Sequence, residues 1–181
     1  MDIYVLRHGE TNYNIKHDRW GGRVDVPLNQ KGIEEAQAIK GKIEELNLSK
    51  VYSSPLIRAV ETAKIVTDKD IIIDDRLIER SNGLLEGKLK SDTPNDIRFN
   101  DPNEKRYNIE SCIAVEDRIY DFFDEIINEA SDEKILLVTH AGSGMYIIKY
   151  LDNKPQSDNY EFYKLKNCEL KEFKHVKKRH R

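Results

Sequence analysis

The runs DIYVLR from Asp2 and KILLVT from Lys134 are apolar at consecutive positions rather than at alternating ones. A strand that is apolar on both sides of its pleat must be covered on both faces, which calls for a parallel sheet held between layers of helix. Two shorter runs, KVYSS from Lys50 and DIIID from Asp70, fit the same sheet. The expected class is α/β: a three-layer α/β/α sandwich with a mostly parallel central sheet, the first and last runs lying centrally.

The segments between the runs read as helices. PLNQKGIEEAQAIKGKIEELN places Ile33, Ala36, Ile43 and Leu46 at helical spacing, with glutamates and lysines opposite. In SSPLIRAVETAKIV, Ser54 suits a helix cap and Pro55 the first helical position, where no amide partner is needed. A third helix is expected from about Ser111 through Ala130, with Ile119, Phe122, Phe123, Ile126 and Ile127 inward. The stretch 87–110 is polar, contains Pro94 and Pro102 and lacks periodicity, so it reads as a long excursion above the sheet, a place where specificity is often set. YEFYKLKNCELKEFKHV alternates around Lys166 and Asn167, the pattern of an edge hairpin. The basic segment 174–181 reads as a frayed, solvated tail.

A chain of 181 residues, 38% hydrophobic, is expected to form one domain, 1–181, with a substantial core. Its 33 acidic and 30 basic residues leave a net charge of -3, which argues against a nucleic-acid partner and for a small one. The opening MDIYVLRHGE has no basic leader, and its apolar run is too short for a signal peptide or a membrane span. A cytoplasmic location without membrane attachment is the expectation. Cys112 and Cys168 lie far apart with no CxxC or histidine-rich spacing, so both read as plain thiols, in neither a disulfide nor a zinc site. Nothing in the residues fixes an oligomeric state.

Ligands of such sheets bind beyond the carboxyl ends of the strands, where helix amino termini point inward. The chemically unusual residues fall there. The first strand runs into Arg7, His8 and Gly9; the second leads to Arg58; the third is followed by Glu79; the fourth runs into His140 and Gly142. VTHAG repeats the strand, histidine, glycine order of LRHGE, so both histidines are expected to face one pocket. His17, His175 and His180 lack such company and read as surface residues.

Five elements in this order resemble the histidine phosphatase superfamily, which includes cofactor-dependent phosphoglycerate mutases and fructose-2,6-bisphosphatases. They are LRHGETNYN with its downstream Asn14, DVPLNQKGIEEAQ, SSPLIRAVETA, LIERSNGLLEG and VTHAG. The chain departs from the family's pattern at Asn82 and Leu85, where aromatics are frequent, at NIES before Ser111, at Ala141 after His140, and in DRWGGRVD, where Arg19 and Arg23 add positive charge.

The resemblance implies a phosphoglycerate mutase-like fold and phosphoryl transfer through a phosphohistidine. His8 is the implied nucleophile, because a neutral imidazole keeps a lone pair near pH 7. Its attacking nitrogen is not legible; the other needs a backbone carbonyl to hold its proton, and Gly9 permits that close approach. Arg7 and Arg58 supply fixed forks of positive charge for the phosphoryl oxygens, with His140, Asn14, Gly22 and the amides near Gly142 as further substrate contacts. Glu79 is the candidate acid and base, with Glu10 as its competitor. No metal and no cofactor is expected. The short interval between the fourth element and His140 favours hydrolysis of a small phosphorylated metabolite over a mutase reaction or non-catalytic binding of a phospho-ligand. The substrate itself is not legible.

Overall fold

The computed structural model describes residues 1–16, 18–97, 106–127, 131–152 and 160–178. β1 (Asp2–Arg7) and β4 (Lys134–Thr139) run in parallel side by side, from Asp2 opposite Lys134 to Arg7 opposite Thr139. Their consecutive apolar residues divide between the two faces of the sheet: Ile3, Val5, Ile135 and Leu137 enter one buried cluster, and Tyr4, Leu6, Leu136 and Val138 the other. β2 (Lys50–Ser53) and β3 (Ile71–Ile73) extend the sheet in parallel, and β5 (Leu170–Phe173) closes the other edge antiparallel to β1. The order is β3-β2-β4-β1-β5, with the first and last apolar runs central as expected.

A short helix α1 (Asn12–Lys16) follows β1. α2 (Gln30–Glu44) and α3 (Ile57–Val66) cover one face through Ala36, Ile43, Ala59, Ala63 and Val66. α4 (Cys112–Ile126) and α5 (Ala141–Leu151) cover the other, where Phe122, Phe123 and Tyr150 lie in edge and stacked contacts. Burying such aromatic faces against a sheet is the main stabilising term of this layer. α2 is capped by Asn29, whose side chain accepts from the Gly32 amide at 2.8 Å, and α4 by Ser111, whose hydroxyl accepts from the Ala114 amide at 3.1 Å.

Four local expectations are corrected. α3 starts at Ile57, not at Pro55, and Ser54 does not cap it; the Ser54 hydroxyl is drawn elsewhere, as described below. The terminal hairpin does not form: 160–163 is a single 3-10 turn and only Leu170–Phe173 is a strand. The alternation is real, because Tyr163 and Leu165 are buried, but they pack into the core under α5 rather than onto a partner strand. The tail is not frayed as far as residue 178. The Val176 amide donates to the Met1 carbonyl at 3.0 Å, Val176 is buried, and Lys178 pairs with Asp124 at 3.5 Å. Leu85, where the family often has an aromatic, is buried in the core.

The excursion after β3 is stitched to the chain after α1. The Lys90 and Gly87 amides donate to the Asp18 and Trp20 carbonyls, Trp20 donates back to Lys88, and Arg19 bridges Leu89. Residues 98–105 of that excursion, 128–130 at the end of the expected third helix, 179–181 of the tail, and His17 and His180 lie outside the described residues. Cys112 and Cys168 form no disulfide, and burial pushes the Cys168 thiol up to about 12. Among the described residues, no helix is long and apolar enough to cross a membrane.

Candidate active site

The carboxyl ends of β1 and β4 are neighbours, so the residues after them meet. The His8 and His140 rings lie with centroids 5.1 Å apart at 57°. His8 is 3% exposed and Arg58 5%; His140 is fully buried. Arg7, His8, Asn14, Gly22, Arg58 and Glu79 line one cavity of about 130 Å³ with Thr11, Tyr13 and Ala141. His140 and Gly142 do not line that cavity; the first lies against His8 and the second is covered by Glu79.

Two neighbours fix the state of His8. Nδ1 lies 2.7 Å from the Gly9 carbonyl oxygen, which can only accept, so Nδ1 carries the proton. Arg58 Nε donates to His8 Nε2 at 3.3 Å, which requires a lone pair there. The tautomer left open by the residues therefore follows from these two contacts: Nε2 is the nitrogen of this ring that keeps its lone pair. Burial, followed by the Arg58 and Arg7 charges, holds the His8 imidazole well below its ordinary pKa, against the opposing bond to Gly9, so it is neutral near pH 7. Gly9 is required sterically as well, because a Cβ there would collide with the backbone of Gly32 at the start of α2.

His140 is held by Ser54, whose Oγ lies 2.6 Å from Nε2. Burial pushes its pKa well down too, with Arg58, His8, Arg7 and Arg118 adding repulsion, while its Nδ1 is buried without a partner. Arg58 reaches the site from the first turn of α3 and is anchored by the Val24 carbonyl at 2.8 Å and the Gly22 carbonyl at 2.9 Å. Gly22 thus contributes its carbonyl to Arg58. Arg7 is anchored by the Leu165 carbonyl at 2.8 Å, and its buried Nε has no partner. Burial lowers the pKa of both guanidinium groups from their ordinary value, Glu79 opposing, yet a guanidinium stays cationic in proteins. Asn14 Oδ1 accepts from the Thr11 amide at 2.9 Å and hydroxyl at 3.0 Å, which turns its Nδ2 donor outward from that pairing.

Glu79 sits at the amino terminus of α5. Its Oε2 accepts from the Gly142 amide at 2.9 Å, and its Oε1 from the Ser143 and Arg80 amides at 2.7 Å each. The Gly142 amide, expected to serve substrate, is thus occupied by a carboxylate, which the positive end of the helix attracts. Glu10 is not at the cavity; it accepts from Asn29 at 3.1 Å and Lys31 at 2.8 Å and ties the loop to α2. Arg23 is held by Glu110 at 3.1 Å and by the Glu79 carbonyl at 2.9 Å, and Arg19 donates to the Gly87 carbonyl at 2.8 Å. Both therefore brace the rim. Among the described residues, no group of three or more His, Cys, Asp or Glu is placed to hold a metal ion.

Three residues of this arrangement were not assigned to the site from the sequence. Ser54 holds His140; Thr62 accepts from the Gly9 amide at 3.1 Å; Asn167 donates to the His8 carbonyl at 2.9 Å. Thr62 had a signal, since it stands one helical turn after Arg58 and faces the same way. Asn167 had none, being separated from His8 by nearly the whole chain.

Comparison with known proteins gives the family and the fold. The model of the histidine phosphatase superfamily (branch 1) matches residues 3–181. A phosphoglycerate mutase-like protein of Arabidopsis thaliana is 29% identical over 96% of this chain and 79% of its own. The protein named Probable phosphatase of Schizosaccharomyces pombe is 34% identical over 75% of this chain, which spans about half (51%) of that relative's length. The structure of a mycobacterial glucosyl-3-phosphoglycerate phosphatase with VO3 superposes with a TM-score of 0.80 at 24% identity, covering 94% of this chain and 91% of that one. An Entamoeba histolytica phosphoserine phosphatase with 3-phosphoglyceric acid gives 0.77 at 22%, covering 94% and 89%. Two histidines beside paired arginines at the ends of adjacent parallel strands, in a chain matched from residue 3 to residue 181, make this protein a member of the histidine phosphatase superfamily.

Proposed function

We propose that this chain is a metal-independent phosphatase that hydrolyses phosphomonoesters of a small metabolite through a phosphohistidine at His8. The observation that carries the reading is the fixed state of His8: Nδ1 protonated against Gly9, Nε2 unprotonated and facing Arg58. A nucleophile held neutral and oriented before substrate arrives has little reorganisation left to undergo.

In this reading the His8 Nε2 lone pair attacks phosphorus and the ester P–O bond breaks. Arg7, Arg58 and Asn14 grip the equatorial oxygens, where charge accumulates. The departing alkoxide takes a proton from the Glu79 carboxyl. Water then attacks the phosphohistidine, the resulting Glu79 carboxylate takes the water's proton, the N–P bond breaks, and its electron pair returns to Nε2. In the free protein Glu79 occupies the α5 amides; in this reading it enters the reaction in its acid form, displaced by the phosphate, which leaves the Gly142 and Ser143 amides to the phosphoryl oxygens. Burial, with the Arg58, His8 and Arg7 charges behind it, disfavours a proton on His140; the incoming phosphate charge offsets the arginine part, and in this reading His140 then serves as a further donor. Supporting this reading, the chain's relatives and structural neighbours carry phosphatase or mutase names. The cavity, of about 130 Å³, suits a phosphoryl group, and the segment 87–110 is read as the part that selects the rest of the substrate.

Incubation with p-nitrophenyl phosphate in excess EDTA is the test: phosphate release is expected to continue undiminished. Abolition by EDTA with recovery on adding a divalent cation would overturn the metal-independent reading. Interconversion of phosphoglycerates outpacing release of free phosphate would replace the hydrolase with a mutase.

A further inference from the structure

The peptide unit joining His8 to Gly9 is gripped at both ends. Its carbonyl, on the His8 side, accepts from Asn167 Nδ2 at 2.9 Å, and its N–H, on the Gly9 side, donates to Thr62 Oγ1 at 3.1 Å. Because a peptide unit is planar, two hydrogen bonds on opposite edges fix its orientation. The Gly9 carbonyl that holds the proton of His8 Nδ1 belongs to the next peptide unit, hinged to that plane at the Gly9 Cα, and the N–H of its own unit, that of Glu10, donates to Glu35 at 2.9 Å. The position of the acceptor that sets the tautomer therefore depends on groups that touch neither the imidazole nor the cavity.

The two grips come from opposite parts of the molecule. Thr62 belongs to α3, and its own hydroxyl donates to the Arg58 carbonyl at 2.7 Å. Asn167 belongs to the turn before β5, at the antiparallel edge of the sheet. That turn is moulded to the end of β1: the Cys168 amide, on a residue with φ of 49°, donates to the Arg7 carbonyl at 3.1 Å and more weakly to that of His8 at 3.4 Å. The Arg7 amide donates back to Glu169 at 3.3 Å. The turn thus follows Arg7, the last residue of β1, and His8 just beyond it, and its Asn167 side chain is given to the His8 carbonyl.

We infer that Asn167 is a positioning residue for the nucleophile: through the His8–Gly9 peptide it holds the Gly9 carbonyl where it keeps His8 protonated at Nδ1 and unprotonated at Nε2. This rests on His8 being the nucleophile, as proposed above. Without the Asn167 donor, the His8 carbonyl keeps only the shared Cys168 amide at the longer distance, the peptide tilts, and the ring divides between tautomers, one of which carries its proton on the attacking nitrogen. Arg7, Arg58 and Asn14 are left in place, so binding of the phosphate is preserved while its transfer slows.

The experiment uses the full chain with 15N-labelled histidine. Long-range 1H–15N spectra read the His8 tautomer, its signals identified by their loss in His8→Asn, alongside kcat and KM for p-nitrophenyl phosphate. Wild type is expected to show a single Nδ1–H tautomer. Asn167→Ala, and Asn167→Asp, which keeps the shape but loses the donor, are expected to show mixed tautomers and a kcat lower by roughly 10- to 100-fold with KM within about threefold. Asn167→Gln, which keeps an amide donor, is expected to recover part of both. If Asn167→Ala does not fold, Asn167→Asp carries the test. An unchanged tautomer in the donor-free variants would overturn the inference, as would a loss appearing in KM alone. A wild type inert towards phosphate esters, with a tautomer that still shifts in Asn167→Asp, would uphold the positioning role and sink the proposed activity.

Discussion

The floor and the rim of the cavity are built on different principles. At the floor, His8, Arg58 and His140 are 5% exposed or less, and each has a polar contact to a named partner. At the rim, the segment after Glu79 proceeds through 3-10 turns, with Leu84 60% exposed and Arg19 bonded to a single backbone carbonyl, that of Gly87. A buried polar group left without its partner costs roughly 1–3 kcal/mol, whereas an exposed one falls back on water. The floor therefore tolerates almost no change, and the rim can be recomposed without disturbing the phosphoryl chemistry. Under the proposed function, reaction type would belong to the first region and substrate choice to the second.

That contrast breaks if floor and rim variants lose activity alike. The largest effect is expected from Arg58→Ala, which removes a fixed positive charge, the hydrogen bond to His8 Nε2 and the anchors to Gly22 and Val24; kcat for p-nitrophenyl phosphate should fall by about 100- to 1,000-fold. A loss of less than about tenfold in steady-state assays would mean the floor is not the catalytic unit.

Glu79→Gln sharpens the boundary, because Glu79 hangs from the rim side while its carboxyl reaches the floor. The amide cannot supply the leaving-group proton, so the loss should be about 100-fold or more for alkyl phosphates and nearer tenfold for p-nitrophenyl phosphate, whose leaving group hardly needs one. Equal losses across a series of leaving groups would move the acid role to another residue. The smallest effect is expected from Arg19→Ala: kcat for p-nitrophenyl phosphate within about threefold of wild type, and any change confined to the KM and salt dependence of anionic substrates. A collapse of kcat in that variant would erase the distinction between the two regions.

How much of this was legible in the sequence follows the same division. The uninterrupted apolar runs around Val5 and Leu136 announced strands buried on both faces, and strand ends in a parallel sheet meet, so Arg7, His8 and His140 were legible from local pattern alone. Contacts made across the fold were not. Ser54 before Pro55 reads as a helix cap; only the structure shows its hydroxyl beside His140, accepting also from the Leu56 amide at 3.3 Å, with α3 starting at Ile57. Tyr163 and Leu165 alternate with exposed neighbours as a strand would, but alternation reports burial on one side and not the identity of what lies there. Asn167 carried no local sign of its role, since its meaning depends on the carbonyl of a residue at the other end of the chain.

The central claim is that His8 Nε2 becomes covalently phosphorylated. Rapid acid-free quenching of the enzyme with a phosphomonoester, followed by mapping of the modified peptide, tests it most directly. The expected result is an acid-labile, base-stable phosphoryl group on Nε2 of His8 that forms within one turnover and is absent from His8→Ala. A phosphoryl group on another residue, or its persistence in His8→Ala, would contradict the claim.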